Sequence, residues 1–167
     1  MLSSPIHPRL LLVFVLAALV AGCGAGRTAR GGAFEPPQVS SAETAQLVVY
    51  RPKQQWREKA GSYPEVLVDG TSMGILRYNG YLVWELPTGH AGMKVTGFGD
   101  KARNWEFKDR ELSLHLKQGE TIYVRMVVRY DEKSNVLGRP GMDYMLVVHP
   151  VSGNDAIYEL KDMRESL

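Results

Sequence analysis

The chain has 167 residues, with 20 Lys and Arg against 18 Asp and Glu, for a formal net charge of +2. So even a balance, with the signs interspersed, lacks the basic footprint of a nucleic-acid binder. One cysteine in the whole chain excludes an internal disulfide, so whatever folds must do so on its apolar core.

The first element is an apolar run. Arg9, with His7 nearby, precedes an unbroken stretch from Leu10 to Val20. Those eleven residues fall short of the roughly twenty a spanning helix needs. They suit the h-region of a signal peptide, and small residues follow. Val20-Ala21-Gly22-Cys23 resembles a bacterial lipobox. That resemblance implies a diacylglyceryl thioether on Cys23, with Val20, Ala21 and Gly22 forming the signal-peptidase recognition site. Cleavage would remove residues 1–22. An ordinary secretory signal with an incidental cysteine is the competing reading. Gly24, where inner-membrane retention uses Asp, implies the outer membrane, facing the periplasm.

Residues 23–44, "CGAGRTARGGAFEPPQVSSAET", are rich in Gly, Ala, Ser and Pro, with Phe34 and Val39 as the sizeable apolar groups. Such a composition reads as a flexible tether, long enough to hold a domain about 25 Å from a bilayer.

Residues 45–167 carry the fold, and their dominant period is two. "TIYVRMVVRY" sets Ile122, Val124, Met126, Val128 and Tyr130 on one face, opposite Thr121, Tyr123, Arg125 and Arg129. "ELSLHLK" turns Leu112, Leu114 and Leu116 inward, and "GYLVWELP" does the same with Leu82, Trp84 and Leu86. "QLVVYR", "EVLVD", "MGILRY", "MKVTGF" and "YMLVVH" are further strand candidates. Asp69-Gly70 and Asn79-Gly80 are hairpin dipeptides. Gly74, Pro87-Thr88-Gly89, Gln118-Gly119 and Pro140-Gly141 mark further turns. The pattern predicts an all-β fold: a small antiparallel β-sandwich of seven or eight strands. At the end, Ser152 or Asn154 as N-cap, Asp155 in the first turn, and Ile157, Leu160 and Met163 at helical spacing predict one short C-terminal helix.

Tyr50-Arg51-Pro52, Asp69-Gly70, Gly74 and Leu86-Pro87-x-Gly89-His90 resemble the pattern of bacterial lipoproteins with a domain of unknown function (DUF2846-like). The Asp-Gly to Leu-Pro-x-Gly segment is also similar to PEGA-type surface β-domains. The resemblance implies a lipid-anchored β-sandwich and lends no catalytic residues.

Chemistry-bearing motifs are sparse. Asp69 reads as a turn residue, with an acid–base role as the alternative. His90, His115 and His149 lie far apart in sequence and match no metal-ligand spacing, so neither metal nor cofactor is expected. "TGFGDK" has no strand-to-helix context for a phosphate cradle, and no nucleophile elbow is present. Trp56, Tyr63 and Trp105 sit among charges and form the candidate binding patch, either capping the core or presenting a platform for a sugar ring or a protein. The leading expectation is a non-enzymatic envelope lipoprotein binding a protein partner. A glycan- or peptidoglycan-binding module comes second, and a hydrolase or transferase third.

Overall fold

The structure, a computed structural model, describes residues 28–38, 40–41, 43–54, 61–131 and 143–167. Among the described residues nine strands and one helix follow in order: β1 (Thr44–Arg51), β2 (Glu65–Val68), β3 (Thr71–Ile75), β4 (Gly80–Pro87), β5 (Gly89–Thr96), β6 (Arg110–Leu116), β7 (Thr121–Asp131), β8 (Asp143–Val151), α1 (Gly153–Leu160) and β9 (Arg164–Glu165). The fold is all-β with two stacked sheets and one short helix, the sandwich that the period-two pattern predicts. Sheet 1 has the order β8-β7-β1-β4-β9 and sheet 2 the order β3-β2-β5-β6.

Two features depart from a purely antiparallel meander. β1 pairs β7 in parallel, Gln46 opposite Thr121 through Tyr50 opposite Arg125, and β4 pairs β9 in parallel. The Asn79-Gly80 dipeptide closes no hairpin, because β3 and β4 belong to different sheets. Asn79 does hold a left-handed φ of 54°, which turns the chain from one layer into the other. Asp69-Gly70, with φ of 48° and 78°, is a true two-residue hairpin joining β2 to β3.

The core lies between the sheets. Leu47 and Val49 of β1, Val124 and Met126 of β7 and Leu146 of β8 meet Val66, Met93, Val95, Leu114 and Leu116 of sheet 2. A second cluster covers the opposite face of sheet 1. Val48, Tyr50, Tyr81 and Tyr123 lie there under Phe34, Ala156, Leu160 and Met163. Tyr123, on the polar side of its strand by sequence, is therefore buried.

The outer layer has two parts. Ser152 caps α1, its hydroxyl accepting from the Asp155 N–H, and Ala156 and Leu160 point inward. Ile157 faces solvent instead, because Ala156 and Leu160 define the buried stripe. The other part is the segment from Thr28 to Ser41. It begins at a bridge to Tyr78, passes over Tyr81, whose hydroxyl donates to Ala33 O at 3.0 Å, and reaches Gln46, whose amide donates to Gln38 O at 2.7 Å. Phe34 meets Tyr81 edge-on at 5.2 Å. Much of the stretch read as tether is thus a strap on sheet 1. Gly31, one of the glycines that suggested flexibility, serves close packing: a Cβ there would stand 2.6 Å from Glu165 Cβ, whereas Gly32 faces open space. Residues 1–27, with Cys23 and the lipobox, lie outside the described residues.

Candidate functional site

Each strand end places particular side chains, and the two ends of the sandwich differ. At one end β1 stops at Arg51, β2 starts at Glu65 and β5 stops at Thr96. Arg51 is 1% exposed. Its Nη1 donates to Ser62 O at 2.7 Å, and its guanidinium lies 5.5 Å from the Tyr78 ring and 5.2 Å from the Trp105 ring. Burial pulls its pKa down to about 10. The cation ties together three connections: β1–β2 through Ser62, β3–β4 through Tyr78 and β5–β6 through Trp105. The Arg of the Tyr-Arg-Pro motif is therefore a hub holding this end in shape.

The same end decides the fate of the aromatic patch. Tyr63 is 6% and Trp105 7% exposed. Tyr63 bridges Arg103 through the backbone, and the Arg77 guanidinium covers its ring at 4.9 Å. Trp105 packs into the core beside Phe107, rings 4.7 Å apart. These two rings cap the core and offer no open stacking platform. Trp56 lies outside the described residues.

Below this end, between α1 and the outer face of β7, runs an open cleft of about 670 Å³. Arg125, Val127, Tyr158, Glu159, Lys161 and Met163 line it, closed above by Lys53, Gln54 and Asn79. Gln54 completes the sheet here, its side-chain amide donating to Val128 O at 2.7 Å and accepting from Val128 N at 3.0 Å. Glu159 accepts from the Tyr50 hydroxyl at 2.9 Å and pairs with Arg125 Nε at 3.3 Å, a contact set by charge, as its angle is poor for a hydrogen bond. Burial, reinforced by Glu159, pushes the Tyr50 phenol well above its ordinary value. Tyr158 is 71% exposed, with Lys161 Nζ 4.3 Å from its ring centre. The cleft presents charges of both signs, from Lys53, Arg125, Lys161, Glu159 and Asp162, beside an exposed aromatic ring.

Asp69 and Gly70 form a turn, whereas Gly74, expected at a turn, lies within β3 where its register with β2 shifts. Asp69 Oδ1 accepts from Gly92 N at 2.7 Å, and the Asp69 N–H donates to Gly92 O at 2.9 Å, locking the hairpin to β5. Gly74 and Gly89 both have φ of 128°, and Pro87 and Gly89 flank the corner where β4 hands over to β5.

Two arrangements escape the sequence. His90 and His115 are direct partners across β5 and β6, their exposed rings 4.7 Å apart. Twenty-five residues separate them in the chain, and only the register brings them together. Among the described residues no group of three His, Cys, Asp or Glu side chains could hold a metal ion. The second is Phe98, 87% exposed on the β5–β6 loop. A large apolar residue between two glycines was its signal.

Among the described residues no helix is long and apolar enough to cross a membrane. No curated protein and no solved structure matches the chain. A family model described as "Protein of unknown function (DUF2846)" matches residues 41–139, from the end of the strap through β7. That is more than half of the 167 residues, and it spans the Arg51 hub, the Asp69 hairpin and the Gly89 corner: the chain belongs to the DUF2846 family.

Proposed function

We propose that this protein is a lipid-anchored component of a bacterial cell envelope, without enzymatic activity, that binds an envelope protein through the cleft between α1 and β7. The anchor rests on the order of n-region, h-region, small residues and Cys23. Gly24 favours the outer membrane, with the domain in the periplasm.

The observation that carries the binding role is the cleft itself. Its one paired carboxylate, Glu159, is committed to Arg125 and Tyr50, which speaks for a scaffold over a general base. Exposed Tyr158 beside Lys161 supplies the amphipathic contact typical of interface anchors.

Two measurements test this. Growth with a clickable fatty acid should label the wild type and leave Cys23→Ser unlabelled, whereas equal labelling removes the anchor. A photo-crosslinking residue at Tyr158 should trap one envelope protein, and one at Ser113 on the far sheet should not. Identical adducts from both positions, or none from either, reject the cleft.

A further inference from the structure

We propose that the Arg51 end of the sandwich rests on the bilayer, with Phe98 inserted among the headgroups and Arg30, Lys101, Arg103 and Arg164 meeting anionic lipid phosphates. This rests on the lipid at Cys23, and it goes further by fixing which surface the membrane touches.

The leash from the lipid to the fold is short. The strap is pinned at its start, because Thr28 bridges Tyr78, Ala29 N donates to Tyr78 O at 3.1 Å, and Gly31 N donates to Glu165 O at 3.0 Å. Only five residue steps separate Thr28 from Cys23. Fully extended they reach at most about 18 Å. β1 alone, eight residues long, spans about 26 Å. A lipidated Cys23 therefore cannot let the domain stand on its opposite end, where the Asp69 hairpin lies. A freely jointed tether of twenty residues would have imposed no such orientation.

Phe98 projects from that end of the sandwich. Its loop opens from the same end, after Thr96 and beside Glu65. At 87% exposure Phe98 is the barest large apolar side chain among the described residues, and it stands at the end that the short leash selects. The loop beneath it is built without slack: a Cβ on Gly97 would run into the Trp105 carbonyl, and one on Gly99 into the Glu65 carboxylate. Glu65, 3% exposed, accepts from Lys101 N at 3.1 Å, and Phe98 N donates to Thr96 Oγ1 at 3.0 Å. The ring is held out on a fixed base, so insertion need order only the side chain and not the loop beneath it. Interfacial anchors bury such apolar groups at the boundary between headgroups and acyl chains.

Arg30, Lys101, Arg103 and Arg164 are exposed and belong to this end through the strap, the β5–β6 loop and β9. Among the described residues Asp100, Glu106, Glu165 and the Leu167 carboxylate share it, so the cations act as individual contacts to phosphates and not through a net positive charge. Basic groups within a Debye length of an anionic surface are attracted to it.

The test uses the full, lipidated chain. Mass spectrometry of the mature protein first establishes the lipid on Cys23, and an unmodified cysteine there ends the anchor reading before vesicles are made. Phe98→Cys and Lys117→Cys proteins, the latter altered at the far end, are each labelled with a polarity-sensitive dye and reconstituted into phosphatidylglycerol-containing vesicles doped with nitroxide lipid. The dye at 98 should be quenched several-fold more than the dye at 117, and adding Lys101→Glu with Arg103→Glu should narrow the difference. Equal quenching at the two positions, on protein whose lipid is verified, overturns the orientation while leaving the anchor intact. Since position 98 is 87% exposed, its substitution leaves the fold unharmed.

Discussion

Sheet 1 and sheet 2 face each other across one core, yet they live in different solvents. β1 is buried at every residue from Ala45 to Arg51, because the core lies on one side and the strap with α1 on the other. β6 alternates between exposed and covered positions, its Ser113 and His115 in water and Leu114 and Leu116 inside. Sheet 1 is the middle of three layers, and sheet 2 is a lid with one wet face. Side chains on the outer face of sheet 1 therefore carry stability, and those on the outer face of sheet 2 are free to change.

The largest expected effect is at the joint of helix and sheet. Leu160 is fully buried against Val48, Tyr50 and Tyr123. Leu160→Ala should cost about 3 to 4 kcal/mol, within the range for a buried leucine. Ser113→Ala, on the wet face of sheet 2, should stay within about 0.5 kcal/mol of wild type. Urea denaturation of both variants checks the contrast, and a small loss at Leu160 would mean the outer layer is mere decoration.

Next is the strap. Phe34→Ala removes the buried ring that meets Tyr81 edge-on and should cost about 3 kcal/mol, the low end of the range for a buried phenylalanine, since the strap that carries it can settle onto sheet 1. Protease digestion should then cut within 28–38 well before the strands. If cleavage is unchanged, the backbone bonds to Tyr78 and Glu165 hold the strap without Phe34.

These two regions also show why part of the fold was legible and part was not. Alternation in β4, β6 and β7 reported the sheet faces correctly because the sandwich core leaves a period-two trace whatever covers the other side. The strap left no trace, since it adheres through backbone bonds and one ring, and its glycines permit close approach as readily as disorder. The placement of Asn79-Gly80 failed for a related reason: the dipeptide specifies a left-handed turn, and whether the chain then pairs or changes layer is a tertiary outcome. Trp105 read ambiguously because charged neighbours in sequence do not reveal Arg51, fifty-four positions away, over its ring. The cleft was invisible too, since its lining comes from β7, α1 and the segment after β1.

Alkali should separate the layers more gently. Burial raises the phenols of Tyr50, Tyr81 and Tyr123, all in the outer cluster of sheet 1, above their ordinary value of 10.0. The unfolded chain therefore gives up these protons first, and stability falls as pH rises beyond 10. Arg51 works the other way, since its pKa is lowered from 12.5 to about 10 and the unfolded state keeps that proton longer. Three phenols outweigh one guanidinium, so the net slope should be downward. Denaturation midpoints from pH 8 to pH 11 would trace it, and Tyr123→Phe should make the slope shallower. A flat profile would place the phenols in contact with water and weaken the three-layer description.

The smallest expected effect lies on the wet face. Lys94 Nζ stands 2.8 Å from Asp109 Oδ2 and 3.5 Å from Glu111 Oε1, an attractive geometry on paper. The Lys94 hydrogen bond, helped by Thr96, holds the Asp109 carboxyl below its ordinary value, and its stabilising effect is present above pH 3.8 and lost as pH falls through the lowered pKa. Both partners are exposed enough for water and salt to screen most of that attraction. Lys94→Ala should therefore leave the urea midpoint at neutral pH unchanged within error. Its trace should be confined to acid, where the variant loses less stability than wild type on titration through the carboxylate range. A drop at neutral pH comparable with Leu160→Ala would show that sheet 2 depends on its outer face after all, and the distinction between a buried middle layer and a solvated lid would no longer hold.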